Sequence, residues 1–301
     1  MAITKSSTLA NTLPTILEEA RFTHEHAAVM PALCWQIKKK LHDGSTINVP
    51  YFGTVTATGL TQGVDMASPT TMADYLVTIT PAEVGCQILV TDKLERDNQE
   101  DITRAAGRIL GDAMARKRDI DLYGQLVDGT TNLGSGTTMT MGQIAAARAI
   151  LMGNAIATGG PAPQPYVVVS HPYTLLDLVD VLTPVVGGVT SVNVQATNVS
   201  QAMGGALTEE VLRNYRIGRL FGMDIYECGN ATITSNNTAG GCFSAGRGGA
   251  LILGTAAEWD ITPDPDPSLR ATELNIVGEY GVGEYLAGWI VELYHDATTP
   301  A

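Results

Sequence analysis

Residues 218–230 read Gly218-Arg219-Leu220-Phe221-Gly222-Met223-Asp224-Ile225-Tyr226-Glu227-Cys228-Gly229-Asn230: a basic residue between two glycines, an apolar run holding a carboxylate, then Gly-Asn. Such a stretch is either a glycine loop that cradles a phosphate or a tight turn that feeds a β-strand. A phosphate loop needs a strand before its glycines and a helix after them, so that amides at the helix start face the anion. Here the order is reversed. A short helical pattern begins at Thr208 with Glu209 and Glu210 and ends near Tyr215, ahead of Gly218, and the strand pattern Met223–Tyr226 follows Gly222. No Gly-Lys-Ser/Thr occurs there. The stretch reads as a turn and a strand. GRGGALILG at 246–254 has the same character, with glycines ahead of an apolar strand.

The chain around it has 301 residues, enough for one large domain or two medium lobes. Hydrophobic residues make up 45% and charged ones 16%, so it is globular, and the shortage of charge suggests surface covered by partners. The net charge of −13 is the wrong sign for a protein that grips nucleic acid through its own surface. Cys34, Cys86, Cys228 and Cys242 are far apart, without the spacing of a zinc site or a disulfide framework, which fits a reduced, intracellular origin. No apolar run reaches membrane-spanning length, and the N-terminus lacks a basic-then-apolar signal.

The first dozen residues are small and polar, a flexible arm. Pro14 can open a helix carrying Ile16, Leu17 and Ala20 that ends before Pro31, and a second short element covers 33–41. Residues 44–91 change character. INVPYFGTVTAT and YLVTITPAEVGCQILVT are extended segments separated by a polar stretch, which predicts a long two-stranded excursion. A ribbon of that kind buries too little apolar surface to stand alone and needs another surface to lie on.

From a cap at Asp97 or Asn98, Ile102, Ala105, Ala106, Ile109, Ala113, Ile120, Tyr123 and Val127 recur at helical intervals up to Gly129. That helix would be about 45 Å long. Its other face, with Arg104, Arg108, Asp112, Arg116, Lys117, Arg118, Asp119 and Asp121, is expected to meet solvent. TTNLGSGTT reads as a loop, 142–154 as an Ala-rich helix, YVVVS (166–170) as a buried strand and 173–182 as an apolar helix, together a compact α/β lobe. Residues 184–206 read as a glycine-rich surface loop. CFS, ALILG, ELNIVGEYGVG and LAGWIVELY are further strands, the last with Trp289, Val291 and Leu293 on one side and Glu292 on the other. TPDPDP is read as a proline-stiffened connection.

No catalytic constellation emerges. Ser244 lacks the strand-to-helix context of a nucleophile elbow. His24 and His26 point about 200° apart on a helix and cannot grip one ion. Ser170 and His171 point opposite ways along a strand. His42 and His295 stand alone near loops. Glu258, Asp260, Asp264 and Asp266 are acidic enough for calcium but lack the loop spacing of a calcium hand, and prolines account for the segment as a rigid turn. Lys38-Lys39-Lys40 is a small solvated patch. No catalytic, cofactor or metal residue is assigned.

What remains is an arm, a ribbon in need of a partner, an over-long helix and an α/β lobe. This order, with YRIGRLFGMDIYECGN, FSAGRGGALILG, EWDITPDPD and ELNIVGEYGVGEYLAGWIVEL in sequence, resembles the major capsid proteins of tailed bacteriophages. The resemblance covers nearly the whole chain. It implies an α+β fold of the Hong Kong 97 type: N-terminal arm (1–43), extended hairpin or E-loop (44–93), spine helix and P-domain (94–139), α/β A-domain (140–257), and P-domain return strands with the C-terminus (258–301). It further implies a non-enzymatic shell protein of the virion, made in the host cytoplasm and assembling into pentamers and hexamers. The icosahedral shell would enclose double-stranded DNA without sequence-specific grip, with portal and scaffolding proteins as partners and no membrane. The E-loop and N-arm would lie on neighbouring subunits, and many weak joints would add up. The family's E-loop cross-linking lysine has no counterpart in 44–91, so no covalent stitching is expected. No long scaffolding segment precedes the arm, which points to a separate scaffolding protein. A bacterial encapsulin shell, on the same fold, and an oligomeric soluble α/β enzyme are the alternatives.

Overall fold

The computed structural model describes residues 26–40, 42, 44–63, 71–97, 102–156, 159–182 and 218–300. The expected helix after Pro14, the loop 184–206 and the helix at Thr208 lie outside these residues. In chain order the first elements are α1 (Met30–Leu33), β1 (Trp35–Lys38), β2 (Ile47–Phe52), β3 (Asp74–Ile79), β4 (Ala82–Thr91), α2 (Asp92–Asp97) and α3 (Ile102–Gly124). A 3-10 turn (Gln125–Asp128), β5 (Thr131–Thr137), α4 (Met141–Gly153), β6 (Tyr166–Ser170) and α5 (Pro172–Leu182) follow. The chain closes with β7 (Arg219–Leu220), β8 (Met223–Glu227), β9 (Ile233–Thr234), β10 (Asn237–Ser244), β11 (Leu251–Asp266), β12 (Ala271–Glu284) and β13 (Ile290–Asp296).

Helix α3 joins two sheets. Its 23 residues span about 35 Å. Its first half buries Ile102, Ala106, Leu110 and Met114 against Leu94 of α2 and against Val90, Leu274 and Ile276 of the four-stranded sheet β1-β11-β12-β4. Its last turn, with Leu122 and Tyr123, and Leu126 beyond it pack against Val167, Val169, Phe243 and Ile290 of the second sheet. The buried stripe keeps Ile102, Ala106 and Tyr123 of the expected one and departs from it elsewhere: Ile109 and Val127 are exposed, and Leu110 and Leu126 take their places. Apolar neighbours at 109/110 and 126/127 leave the phase open in the sequence, and packing on two sheets resolves it.

The second sheet runs β5-β13-β10-β6-β8-β7, with β9 beside β10. Strand β6 (YVVVS) is buried throughout because both faces are covered. One face carries α4 and α5 through Ile144, Leu151, Leu175 and Leu178; the other carries α1 and the end of α3. A capping box between Thr140 and Gln143 starts α4.

Four expectations are corrected. First, YLVTITPAEVGCQILVT is two strands. β3 pairs with β2 from Ile47↔Ile79 to Phe52↔Asp74, while β4 leaves the ribbon after Pro81 and pairs along β12. A proline offers no N–H to extend the ladder, so the chain changes sheet there. Second, TTNLGSGTT is strand β5, parallel to β13, with Gly134 and Gly136 at positive φ and a register shift opposite them.

Third, TPDPDP is the outer half of β11, not a connection. Pro263 and Pro265 face Leu274 and Thr272 of β12, while β1 pairs only with 252–255. Two residues apart, both prolines turn the missing N–H the same way, toward the open edge. Fourth, the grouping of 258–301 is divided: β12 lies in the four-stranded sheet, and β13 lies in the seven-stranded sheet between β10 and β5. β13 carries Ile290 into one core and Val291 and Leu293 into the other, so it needs cover on both faces. β5, from the 94–139 segment, joins the same sheet. Glu292, on the opposite side of the strand from Val291 and Leu293, is therefore also buried, at 7% exposure.

Candidate assembly surfaces

The ribbon β2–β3 stands on β11 and β12 through a small apolar root of Ile47, Val49, Ile79 and Ile252. Two glycines make the approach possible. A Cβ on Gly254 would lie 2.5 Å from Ile47 Cδ1, and one on Gly281 would lie 2.7 Å from Ile79 Cγ2. Aromatic rings continue the root: Tyr51 stacks on Tyr75 at 5.1 Å, and Tyr285 meets Tyr51 and Trp35 edge-on at 5.7 and 5.6 Å. Between the ribbon and the turn before β13, a cleft of about 920 Å³ is lined by Tyr51, Phe52, Tyr75, Leu286 and Trp289 among others.

Beyond the root the other described residues leave the ribbon uncovered. Phe52, Val55, Leu60, Met72, Tyr75 and Leu76 are all exposed, with Met72, Leu60 and Phe52 at 71%, 67% and 66%. Among the described residues β2 and β3 pair only with each other, so each keeps one open edge. Single exposed apolar residues are ordinary; six on one thin element mark an interaction surface.

The opening stretch resolves as a two-residue hairpin and a strand. Phe221 and Gly222 both have positive φ, the geometry of the turn that joins β7 to β8. Arg219 pairs with Asp224 across it, Nε to Oδ1 3.4 Å. β8 then runs parallel to β6. The Gly246–Gly249 segment is likewise a turn into β11.

The polar end of the stretch has a purpose that local spacing does not show. Asp119 is fully buried, although the helix face that carries it is expected in solvent. Its Oδ1 accepts the backbone N–H groups of Val29 and Met30, both at 2.8 Å. Its Oδ2 accepts Asn230 Nδ2 at 2.9 Å and the Cys228 thiol at 3.2 Å. Burial, then the Asp119 charge, pushes the Cys228 thiol up to about 12, so it stays a donor. The same face engages further. Arg118 lies 3.9 Å over the Trp259 ring, and Tyr280 donates to Asp121 at 2.8 Å. Arg118, Asp119 and Asp121 thus serve internal contacts, whereas Arg104, Arg108, Asp112, Arg116 and Lys117 are exposed, as expected of this face.

Most of the remaining candidates make contacts within the fold. Ser244 is buried and donates to the Pro163 carbonyl. Ser170 bonds the Thr174 hydroxyl, and His171 Nδ1 accepts the Tyr173 amide at 3.1 Å. His295 Nδ1 donates to the Thr137 carbonyl at 2.9 Å. Burial lowers the pKa of both histidines. His42 is an exposed turn residue at positive φ. Of the acidic segment, Glu258 pairs with Lys38 at 2.9 Å and Arg118 at 3.7 Å, and Asp266 caps the β11–β12 turn through the amides of Ser268 and Leu269. Lys38, largely exposed, makes this ion pair within its own subunit. Among the described residues no group of three or more His, Cys, Asp or Glu is placed to hold a metal, and no helix is long and apolar enough to cross a membrane. The ribbon was legible in the sequence. Asp119 was missed because its donors lie 89 to 111 residues away.

No protein-family model and no curated protein matches the chain. Solved structures do. The acid-stable capsid of Helicobacter pylori bacteriophage KHP30 superposes with a TM-score of 0.73 at 11% identity, covering 99% of both chains. The capsid of cyanophage P-SCSP1u gives 0.69 at 13%, over 94% of this chain and 93% of that one. The capsid of the native GTA particle gives 0.66 at 12%, over 98% and 100%. At such identities the likeness is one of fold, and it runs from end to end: this chain has the α+β Hong Kong 97-type fold of bacteriophage capsid chains.

Proposed function

We propose that the chain is a structural major capsid protein, not an enzyme, which self-assembles into pentamers and hexamers of an icosahedral shell around double-stranded DNA. The observation that carries this reading is the ribbon: among the described residues it shows six large exposed apolar side chains, two open strand edges and no support beyond its root. A neighbouring copy supplies the missing surface, and the likeness of fold to capsid chains says what kind of assembly repeats that contact. The division into N-arm (1–43), E-loop (44–93), spine helix and P-domain (94–139), A-domain (140–257) and return strands belongs to this reading, with β5 and β13 reassigned to the A-domain sheet. Portal and scaffolding proteins are its further partners, and the virion, assembled in the host cytoplasm, is its location. The acidic balance suits a wall that holds DNA without adhering to it.

Negative-stain microscopy of the purified full chain, alone and with a co-expressed scaffolding candidate, tests the reading. Closed shells of uniform size are the expected outcome, with DNA inside particles from infected cells. Shells that enclose a cargo enzyme and no DNA would identify an encapsulin-type compartment. Small fixed oligomers under every condition would contradict a shell and favour the enzyme reading.

A further inference from the structure

We propose that Asp119 fixes the position and direction of the backbone at 26–30, the segment that follows residues 1–25, and that this clasp determines assembly and not only folding; the assembly half rests on the shell reading above. Three contacts in a row hold the segment 26–30 along Cys228–Asn230. The His26 ring lies over Gly229, where an added Cβ would be 2.3 Å from Nδ1. The His26 carbonyl accepts Asn230 Nδ2 at 3.5 Å. The next anchor is the pair of successive amides, Val29 and Met30, on a single oxygen of Asp119.

Apolar packing of Met30 and Leu33 alone would tolerate a slide of the backbone along the core. Two amides sharing one carboxylate oxygen at 2.8 Å do not tolerate it. The second oxygen is held by Cys228 and Asn230, which end β8 of the seven-stranded sheet. The carboxylate makes four hydrogen bonds and, among the described residues, no ion pair. A buried charge satisfied by donors from two chain segments fixes geometry where an apolar residue would only fill space. The direction of the N-terminal segment is thereby tied to the spine helix and to the seven-stranded sheet at one residue.

The test uses the purified full chain with Asp119→Asn and, separately, Asn230→Ala, followed by hydrogen exchange and by sedimentation of assembled material. In Asp119→Asn, amides at 26–34 are expected to exchange at least about tenfold faster while those of 166–170 and 237–244 keep their protection. Shell yield is expected to fall by about tenfold, or particles to lose uniform size. Unchanged exchange at 26–34 would overturn the clasp. Faster exchange there with wild-type shell yield and size would overturn its role in assembly. If Asp119→Asn does not fold, Asn230→Ala decides by the same two readings, and loss of protection across the whole core in both variants reduces Asp119 to a folding residue. A wild-type chain that forms no shell removes the capsid reading, and with it the assembly half; the exchange comparison then judges the clasp by itself.

Discussion

Glu292 sits in strand β13 at 7% exposure, where its carboxylate accepts Asn132 Nδ2 at 2.7 Å. Burial, then the charge of Asp128, raises its pKa, and the same two causes raise that of Glu284. A carboxyl whose folded pKa lies above its unfolded value contributes stability fully present below the unfolded value, about 4.3, and lost as pH rises through the folded one. Glu292→Gln keeps an acceptor for Asn132 and removes that loss. Melting curves should show the variant a few degrees more stable at pH 7.5 and equal to wild type at pH 3.5; a deficit at pH 7.5 would show that the charge is needed. His295 works in the opposite sense. Its folded pKa is depressed by burial against the raising effects of Thr137 and Asp177, and its Nε2 is buried without a hydrogen-bond partner among the described residues. Its contribution is present above about pH 6.5 and disappears as pH falls through the folded value. His295→Asn, which can still donate toward Thr137, should flatten the fall in denaturation midpoint between pH 6.5 and 5, whatever it does to the midpoint at pH 8. His171, also depressed by burial, keeps part of the slope.

At the level of elements, the ribbon separates stability from assembly. Phe52→Ser and Leu76→Ser remove exposed side chains, so the isolated chain should change by no more than about 0.5 kcal/mol, while shell formation measured by light scattering drops. A matching loss of thermal stability would mean that these side chains serve their own subunit. Gly281→Ala should do the reverse: its Cβ would press on Ile79 Cγ2 and sit 3.1 Å from the Thr80 carbonyl. A cost of about 1–3 kcal/mol, read from denaturant melts, is expected as the root of the ribbon loosens. Elements whose signals are local were legible in the sequence: the Ala-rich helix at 142–154, the valine-rich YVVVS, the glycine turn ahead of Met223. Those decided by distant partners were not. Nothing near Thr131 announces that β13 will adopt β5 as a parallel neighbour, and TPDPDP becomes a strand only because its other edge is open. The same holds for the surfaces. Six apolar residues on a thin segment can be read in order, whereas Asp119 looks like one more charge on a charged helix face until Val29 and Asn230 are folded against it.

For the whole molecule, one chain presents a ribbon that the other described residues cover only at its root. Residues 44–91 contain no lysine, so the subunits should separate fully on a denaturing gel, with no ladder of covalent oligomers; a ladder would reveal a stitching chemistry at other residues. The acidic balance predicts that shell integrity is largely insensitive to nuclease once particles are closed, since DNA is enclosed and not part of the wall. The most direct test is amide hydrogen exchange of residues 47–63 and 71–79, compared between the dissociated chain and the assembled particle. The account predicts fast exchange in the former and strong protection in the latter, with the root around Ile47 and Ile79 intermediate. Strong protection of that ribbon in a chain that stays monomeric at high concentration would contradict it.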